Sequence, residues 1–502
     1  MIKENRKWWI LGALSLCLLT VSLDLTVLNL ALPTLAIDLH ATNRELQWFA
    51  DAYNLVLAAA LLPAGLLGDR MGRKKMLIMA LVLFGAASWI CAYAGSAEGL
   101  IIGRALLGLG AAFLLPLSMS IIPVLFTEEE RPKAIGLWVM ANSLGIPLGP
   151  IIGGWLLNHY WWGSVFLINI PIVIAALIAI FILLPESRSK VRSRIDLIGI
   201  LTSSTGLVAL TYGVIEAGEK GWGNIEALAT VVTGLLALIV FILWERRVRN
   251  PLIDLSLFRS SSFTWGSILA TIVSFAMFGL LFVTPQYFQA VEGADALGTG
   301  IRLLPIIGGL LLGAKVSERL KNRFGAEAIL AIGFGLLSIG LFLGANTGSG
   351  HGYGFASIWI SIVGLGIGFV LPTAMDVAMS ALSAERSGVG SALIMAMRQV
   401  GGTIGVAILG TVLSTGYRAK LEIEGLQSDI AKVVQRSVSA GVEVAQQMDS
   451  TKLLDSVHSS FVHGMNLTLM VSGGVAALGL VLTLVFLRLR VTEKGQLDLG
   501  AK

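Results

Sequence analysis

Long apolar runs alternate with short polar connections along the whole chain. The runs are about 20 residues long, the length needed to cross a bilayer as a helix. They predict fourteen helical segments at 9–33, 46–68, 76–95, 99–124, 135–157, 164–184, 196–216, 225–244, 263–288, 298–315, 326–345, 355–382, 389–416 and 461–487. Continuous runs such as Ile172 to Leu184 lack the polar alternation of a β-barrel strand. The expected fold is therefore all-α integral membrane, with 14 transmembrane helices. The first run follows the basic start MIKENRKWWI as in a signal peptide. It continues past the usual apolar core length, carries Asp24 and lacks a small-residue cleavage site before Pro33, so it reads as a retained helix.

Composition agrees with the pattern. Of 502 residues, 55% are hydrophobic and 13% charged, and the mean hydropathy is +0.82. That charge density is about half that of a soluble domain. The charges are also unevenly placed: with the N-terminus inside, inward segments hold 26 of the 36 Lys and Arg and outward segments 7. This asymmetry predicts a plasma-membrane protein with both termini cytoplasmic. The basic balance is thereby a topology signal, and no nucleic-acid partner is expected. Cys17 and Cys91 lie in apolar segments without metal-ligand spacing, so packed or lipid-facing thiols are expected and no metal.

Two connections interrupt the regular rhythm. Glu245 to Ser260 reads as a linker between halves. Tyr417 to Ser460 is a long outward segment whose apolar positions, Leu426, Ile430, Val433, Val434, Val438 and Val442, recur at helical spacing. It predicts an amphipathic helical hairpin, with a solvated spacer as the alternative. The expected organisation is a six-helix bundle over 1–195, two inserted helices and a linker over 196–262, and a second six-helix bundle over 263–502.

Asp24, Asp51 and Asp376 sit inside apolar segments, as do Arg104 and Arg398. A carboxylate at membrane depth costs about 3 kcal/mol on insertion scales, and such residues usually mark a proton or cation pathway. A structural tie to a neighbouring helix is the competing reading for each. Arg104 is within reach of either Asp24 or Asp51 by depth. Asp376 and Arg398 form a possible charge pair of the C-terminal half. Arg302 begins a segment and can snorkel outward, so no transport role is assigned to it.

Between the second and third segments the chain reads GLLGDRMGRKK, Gly65 to Lys75. Gly65, Gly68 and Gly72 permit a tight turn, Asp69 can cap a helix N-terminus in the opposite half, and Arg70, Arg73, Lys74 and Lys75 can anchor to anionic lipid. This resembles the loop motif of the major facilitator superfamily. GAKVSERLKNRFG, Gly313 to Gly325, is a degraded echo of it, as expected where two related halves rock about a midplane site.

DLTVLNLALP from Asp24, Arg104 within LIIGRALLGLGAA, and GIPLGPIIGG from Gly145 to Gly154 narrow the resemblance to the fourteen-helix drug:proton antiporters. WFADAYNLVLA from Trp48, FLINIP from Phe166 and RQVGGTIGVAILG from Arg398 extend it over most of the chain. The long outward loop is similar to that of quaternary-ammonium-compound exporters.

The resemblance implies a fold of two six-helix bundles plus two inserted helices, and a proton-coupled antiporter exporting lipophilic cationic drugs by alternating access. It associates Gly145, Gly149, Pro150, Gly153 and Gly154 with antiport; packing glycines are the plain alternative. Asp24 is the leading coupling acid, with Asp51 assisting and Arg104 modulating. Gly65, Asp69, Arg70, Gly72 and Arg73 form the expected gating loop.

Trp48, Tyr53, Trp138, Asn142, Phe275, Phe278 and Met375, with Met379, Met395, Met397 and Phe282, are candidates to line a polarizable substrate cavity; individually each also fits plain packing or lipid contact. No phosphate-binding GxxxxGK[ST] loop is present, so no cofactor is expected and the proton motive force is the expected energy source. Small lipophilic cations, protons and membrane lipids are the expected partners, with a monomer as the expected state. Export of a lipid or endogenous amphiphile, or a non-transporting receptor, are the alternative readings. The chain is not expected to be an enzyme.

Overall fold

The computed structural model describes residues 4–39, 41, 43–188, 196–248, 251, 253, 255–348, 351–382, 387–423, 426–435 and 437–500. Among them there is no strand, and fourteen helical stretches are long and apolar enough to cross a membrane. Each of the fourteen expected segments falls on one of these stretches.

In chain order the helices are α1 (Glu4–Asp38), α2 (Asn43–Met71), α3 (Arg73–Ala92), α4 (Ala97–Leu125), α5 (Arg131–His159), α6 (Ser164–Leu167), α7 (Asn169–Leu183), α8 (Leu197–Lys220) and α9 (Ile225–Glu245). They continue with α10 (Ser261–Gln286), α11 (Ala296–Arg302), α12 (Leu304–Gly344), α13 (Tyr353–Ser380), α14 (Ser387–Lys420), α15 (Ser428–Val434), α16 (Val438–Gln447) and α17 (Thr451–Gly500).

By contacts the chain forms two compact units. The first comprises Met1–Ile268 with Ala374–Val400, and the second Leu269–Thr373 with Gly401–Lys502. In the first unit α1 packs along α5, α2 along α4, and α8 pairs with α9. The α8–α9 pair docks on α2, where Ser204 Oγ donates to the carbonyl of Ala59 at 2.6 Å and Trp48 stacks on Tyr212. The α1–α5 contact needs glycine. A Cβ at Gly149 would come within 1.9 Å of Thr26 Oγ1, and one at Gly145 within 2.1 Å of Ser22 Oγ. The four-residue spacing keeps both glycines on the face toward α1. Thr26 Oγ1 then donates across the seam to the carbonyl of Gly145 at 2.9 Å.

In the second unit α12 and α16 pack on α17. The long connection after α14 does contain two short amphipathic helices, α15 and α16. Val434, Val438, Ala445 and Val457 are buried beneath them, and Tyr417 Oη donates to the carbonyl of Val434 at 2.9 Å. Val433, counted among the apolar positions, is instead exposed, because α15 ends at Val434 and the periodicity restarts at Ser437, the N-cap of α16.

Helix α17 starts at Thr451 rather than at the expected 461. Its polar first turns continue the helix outside the apolar stretch while Leu453, Val457 and Phe461 stay buried. Hydropathy marks the membrane-compatible part of a helix, and packing decides where the helix begins.

Candidate functional site: two buried carboxylate–arginine pairs

The first pair lies inside the helices of the first unit. Asp24 on α1 and Arg104 on α4 are both buried, at 3% and 1% exposure, and Arg104 Nη1 donates to Asp24 Oδ2 at 2.5 Å. Three further helices hold the pair. From α2, the carbonyl of Phe49 accepts from Arg104 Nε at 2.8 Å, and the ring of Tyr53 lies 4.6 Å from the guanidinium carbon. From α7, Asn169 Nδ2 donates to Asp24 Oδ1 at 3.3 Å and also to Ser88 Oγ of α3 at 3.2 Å. Of the two acids within reach of Arg104 by depth, the structure brings Asp24 to it.

Such a pair has a defined chemistry. Two charges withdrawn from water are tolerable only while they face each other and their remaining hydrogen-bonding sites are filled. The cluster is not saturated, because Asn169 Oδ1 and Tyr53 Oη find no hydrogen-bond partner among the described residues. Asn169 and Ser88 were not singled out from sequence. The signal was present for Asn169, a carboxamide in the apolar run FLINIP.

The second pair sits where helices end. Asp69 near the end of α2 accepts from Arg73 Nη2 at 2.6 Å and Nε at 3.0 Å. Its oxygens also accept from the backbone N–H groups of Gly388 at 3.1 Å and Val389 at 3.0 Å. The carboxylate thus caps the first turn of α14, where unsatisfied donors and the helix dipole favour a negative group. The expected capping by Asp69 of a helix from the other half of the sequence is the geometry found.

The turn itself depends on Gly72, whose φ of +112° disfavours any side chain and whose missing Cβ leaves room for Glu186. Glu186 in turn accepts from the backbone of Lys74 at 3.1 Å and Lys75 at 3.2 Å, capping α3. Gly325, closing the echo motif within α12, likewise has positive φ, +82°. Ser387 and Ser391 of α14 add bonds to the carbonyls of Ser120 and Pro116 on α4, at 3.0 and 2.9 Å.

The remaining candidates are distributed as follows. Gly65 is buried against Gly388 and Ala392; Gly153 is buried against Val27; Gly154 is buried, Pro150 half-buried and Arg70 exposed. Asp51 is half-buried on α2. Asp376 and Arg398 are both buried in the first unit, with Arg398 Nη1 3.7 Å from Met375 Sδ and 3.5 Å from Met395 Sδ. Trp138 is fully buried and donates to Ser118 Oγ at 3.0 Å. Trp48, Asn142, Phe275 and Phe278 are half-buried, while Met375 and Tyr53 are buried. Among the described residues no group of three or more His, Cys, Asp or Glu could hold a metal.

Fourteen apolar spans among the described residues, with two buried charge pairs in the first unit, define a polytopic helical membrane protein. The chain belongs to the Major Facilitator Superfamily of transporters, whose family model matches residues 14–406. It is 32% identical over 490 residues to the tetracenomycin C resistance and export protein of Streptomyces glaucescens, covering 94% of this chain and 90% of that one. It is also 32% identical over 467 residues to the multidrug efflux pump LfrA of Mycolicibacterium smegmatis, covering 92% of each. A crystal structure of the human organic anion transporter MFSD10 (TETRAN) superposes with a TM-score of 0.64 at 14% identity, covering 96% of this chain and 100% of that one; at that identity the likeness is one of fold.

Proposed function

We propose that the protein is a proton-coupled antiporter of the plasma membrane that exports lipophilic cationic drugs, antiseptics or dyes by alternating access, with both termini cytoplasmic. The relatives named above support drug export. The observation that carries the coupling is the Asp24–Arg104 pair, a carboxylate buried at 3% exposure and held by the side chains of Arg104 and Asn169. In this reading Asp24 carries the proton through the cycle and Arg104 is its partner in the conformation described. A proton moving inward gains about 2.3 kcal/mol per 100 mV and about 1.36 kcal/mol per pH unit, enough to drive a cation outward. A lipophilic cation competing with the proton for the same carboxylate supplies the exchange.

Asp69 serves the other half of the cycle in this reading. Its bonds to Gly388 and Val389 stabilise the conformation in which α2 and α14 are joined, and breaking them admits the alternative conformation. Asp51 assists Asp24, and the α1–α5 glycine seam lets α1 move against a close-packed neighbour.

The test is proton movement in proteoliposomes containing purified protein, with ethidium as the lipophilic cation. Addition of ethidium should release protons in proportion to its transport, and a pH gradient should drive its accumulation. Ethidium transport that ignores the pH gradient would remove proton coupling from the reading. Single-cysteine labelling in the α2–α3 segment Gly65 to Lys75 from the cytoplasmic side only, and in Tyr417 to Ser460 from outside only, checks the orientation.

A further inference from the structure

Three apolar spans share a boundary on one flank of the first unit. The α1 span begins at Arg6, the α3 span at Arg73, and the span containing α7 ends at Leu183. Two cations close that corner. Arg6 Nε donates to the carbonyl of Leu183 at 3.0 Å and Nη2 to that of Ile182 at 3.3 Å. Lys74 Nζ donates to the carbonyl of Phe181 at 2.8 Å and lies 5.4 Å from the centre of its ring. These carbonyls are the last-turn acceptors of α7, which lack partners within the helix and draw positive charge to this level.

Directly below, within the apolar span, a surface groove of about 290 Å³ is lined by Ile78, Leu177, Ile178, Phe181 and Ile182. Ile178, Phe181 and Ile182 are 56%, 70% and 64% exposed, the condition of side chains that face hydrocarbon. Phe181 and Ile182 belong to both features: their side chains line the groove and their carbonyls hold the cations. Lys75 is exposed and one turn from Ile78 on the same face of α3. Of the acids near this corner, Glu186 is engaged by the backbone donors at the start of α3, Asp69 by Arg73 and the first turn of α14, and Glu130 by Lys7, so each negative charge is offset.

We propose that this corner binds an anionic glycerophospholipid, with its phosphate against Arg6 and Lys74 and one acyl chain in the groove. The cations stand where a headgroup stands, at the end of the apolar spans, and the groove begins where the acyl chains begin. Lys74 directs one of its three donors at Phe181, so the ammonium retains donors for a phosphate. A free anion would satisfy the cations and have no use for the groove. A water-soluble partner would not reach a groove at the depth of the hydrocarbon. Basic pockets between spans, beside an acyl-accommodating surface, are the general chemistry of anionic-lipid selection. A lipid bound here would tie α1, which carries Asp24, to α3 and α7.

The proposal is tested on the full-length protein in nanodiscs of mixed phosphatidylglycerol and phosphatidylcholine, by counting retained lipids with native mass spectrometry. The wild type should retain phosphatidylglycerol over phosphatidylcholine, and excess inorganic phosphate should leave it bound. Arg6→Gln/Lys74→Gln should lower the preference by about tenfold or more, since each cation near an anionic headgroup contributes about 1 kcal/mol and about 1.4 kcal/mol is a factor of ten. Leu177→Trp, which fills the groove and keeps both cations, should also lower retention, giving a second readout should the double variant fold poorly. Lys432→Gln, on the exposed surface of α15, should behave as wild type. No phosphatidylglycerol preference in the wild type, an unchanged preference in both variants, or displacement of the lipid by phosphate would each overturn the site.

Discussion

Asp24 and Asp69 are both buried aspartates paired with arginine, yet their surroundings divide them. Asp24 accepts from two side chains, Arg104 and Asn169, deep within a bundle. Asp69 accepts from Arg73 at the start of the next helix, α3, and from two backbone N–H groups of α14. Side-chain partners can swing away while the helices stay in place. Backbone partners leave only when the helices part. A carboxylate of the first kind is suited to exchanging a proton, and one of the second kind to reporting and stabilising a conformation.

The sharpest way to break this contrast is Asp24→Asn. The amide fills the same space and cannot exchange a proton, so pH-driven efflux should fall to background. Leaving Arg104 buried without its counter-charge should also lower stability by about 3 kcal/mol. Asp24→Asn/Arg104→Gln should recover much of that stability and none of the transport, read by thermal melting beside proteoliposome flux. Undiminished pH-driven efflux in Asp24→Asn would move the coupling role elsewhere.

Asp69→Asn should do the opposite. Substrate binding should persist while turnover drops by about tenfold, because charge-assisted bonds to α14 worth about 2 kcal/mol are weakened. Binding measured by fluorescence and turnover measured in proteoliposomes separate the two, and wild-type turnover in a well-expressed variant would leave Asp69 without a gating role.

Gly149→Ala probes the seam beside the first pair. Its Cβ would meet Thr26 Oγ1 at 1.9 Å, so α1 and α5 must shift. A stability loss of about 1–3 kcal/mol is expected, with transport reduced beyond what expression explains. A melting temperature equal to wild type would show that the seam yields freely.

The smallest effect should come from Glu130→Gln, which removes the surface pair with Lys7. The Lys7 ammonium holds the Glu130 carboxyl below its ordinary range. The contribution is therefore present above about pH 4.3, the ordinary glutamate value, and is lost as pH falls through the lowered one. Melting profiles of wild type and Glu130→Gln should differ slightly at neutral pH and converge in acid. A constant difference at all pH values would assign the contact to packing.

Much of the architecture was legible because a bilayer imposes a length and a polarity on every span, and local sequence carries both. The fourteen segments needed no tertiary knowledge. Capping by Asp69 was legible too, since a glycine-flanked aspartate among cations has few other uses. The choice between Asp24 and Asp51 as the partner of Arg104 was not legible. Both acids fit by depth, and depth says nothing of rotation about the helix axis. Asn169 escaped notice because one carboxamide in an apolar run looks like any tolerated polar residue until its neighbours are known.

Hydropathy and charge along the chain were enough to specify which stretches span the membrane, which intramembrane charges need partners, and where tight turns require glycine. These follow from transfer free energies and backbone sterics, which act residue by residue. Folding alone decided that five helices contribute to the Asp24–Arg104–Asn169 cluster, that Gly145 and Gly149 meet Ser22 and Thr26, that residues 374–400 pack with the first unit, and that α17 begins at Thr451. Those outcomes depend on rotation, register and contact between segments distant in sequence. No local rule encodes them, because each is set by the helix on the other side of the contact.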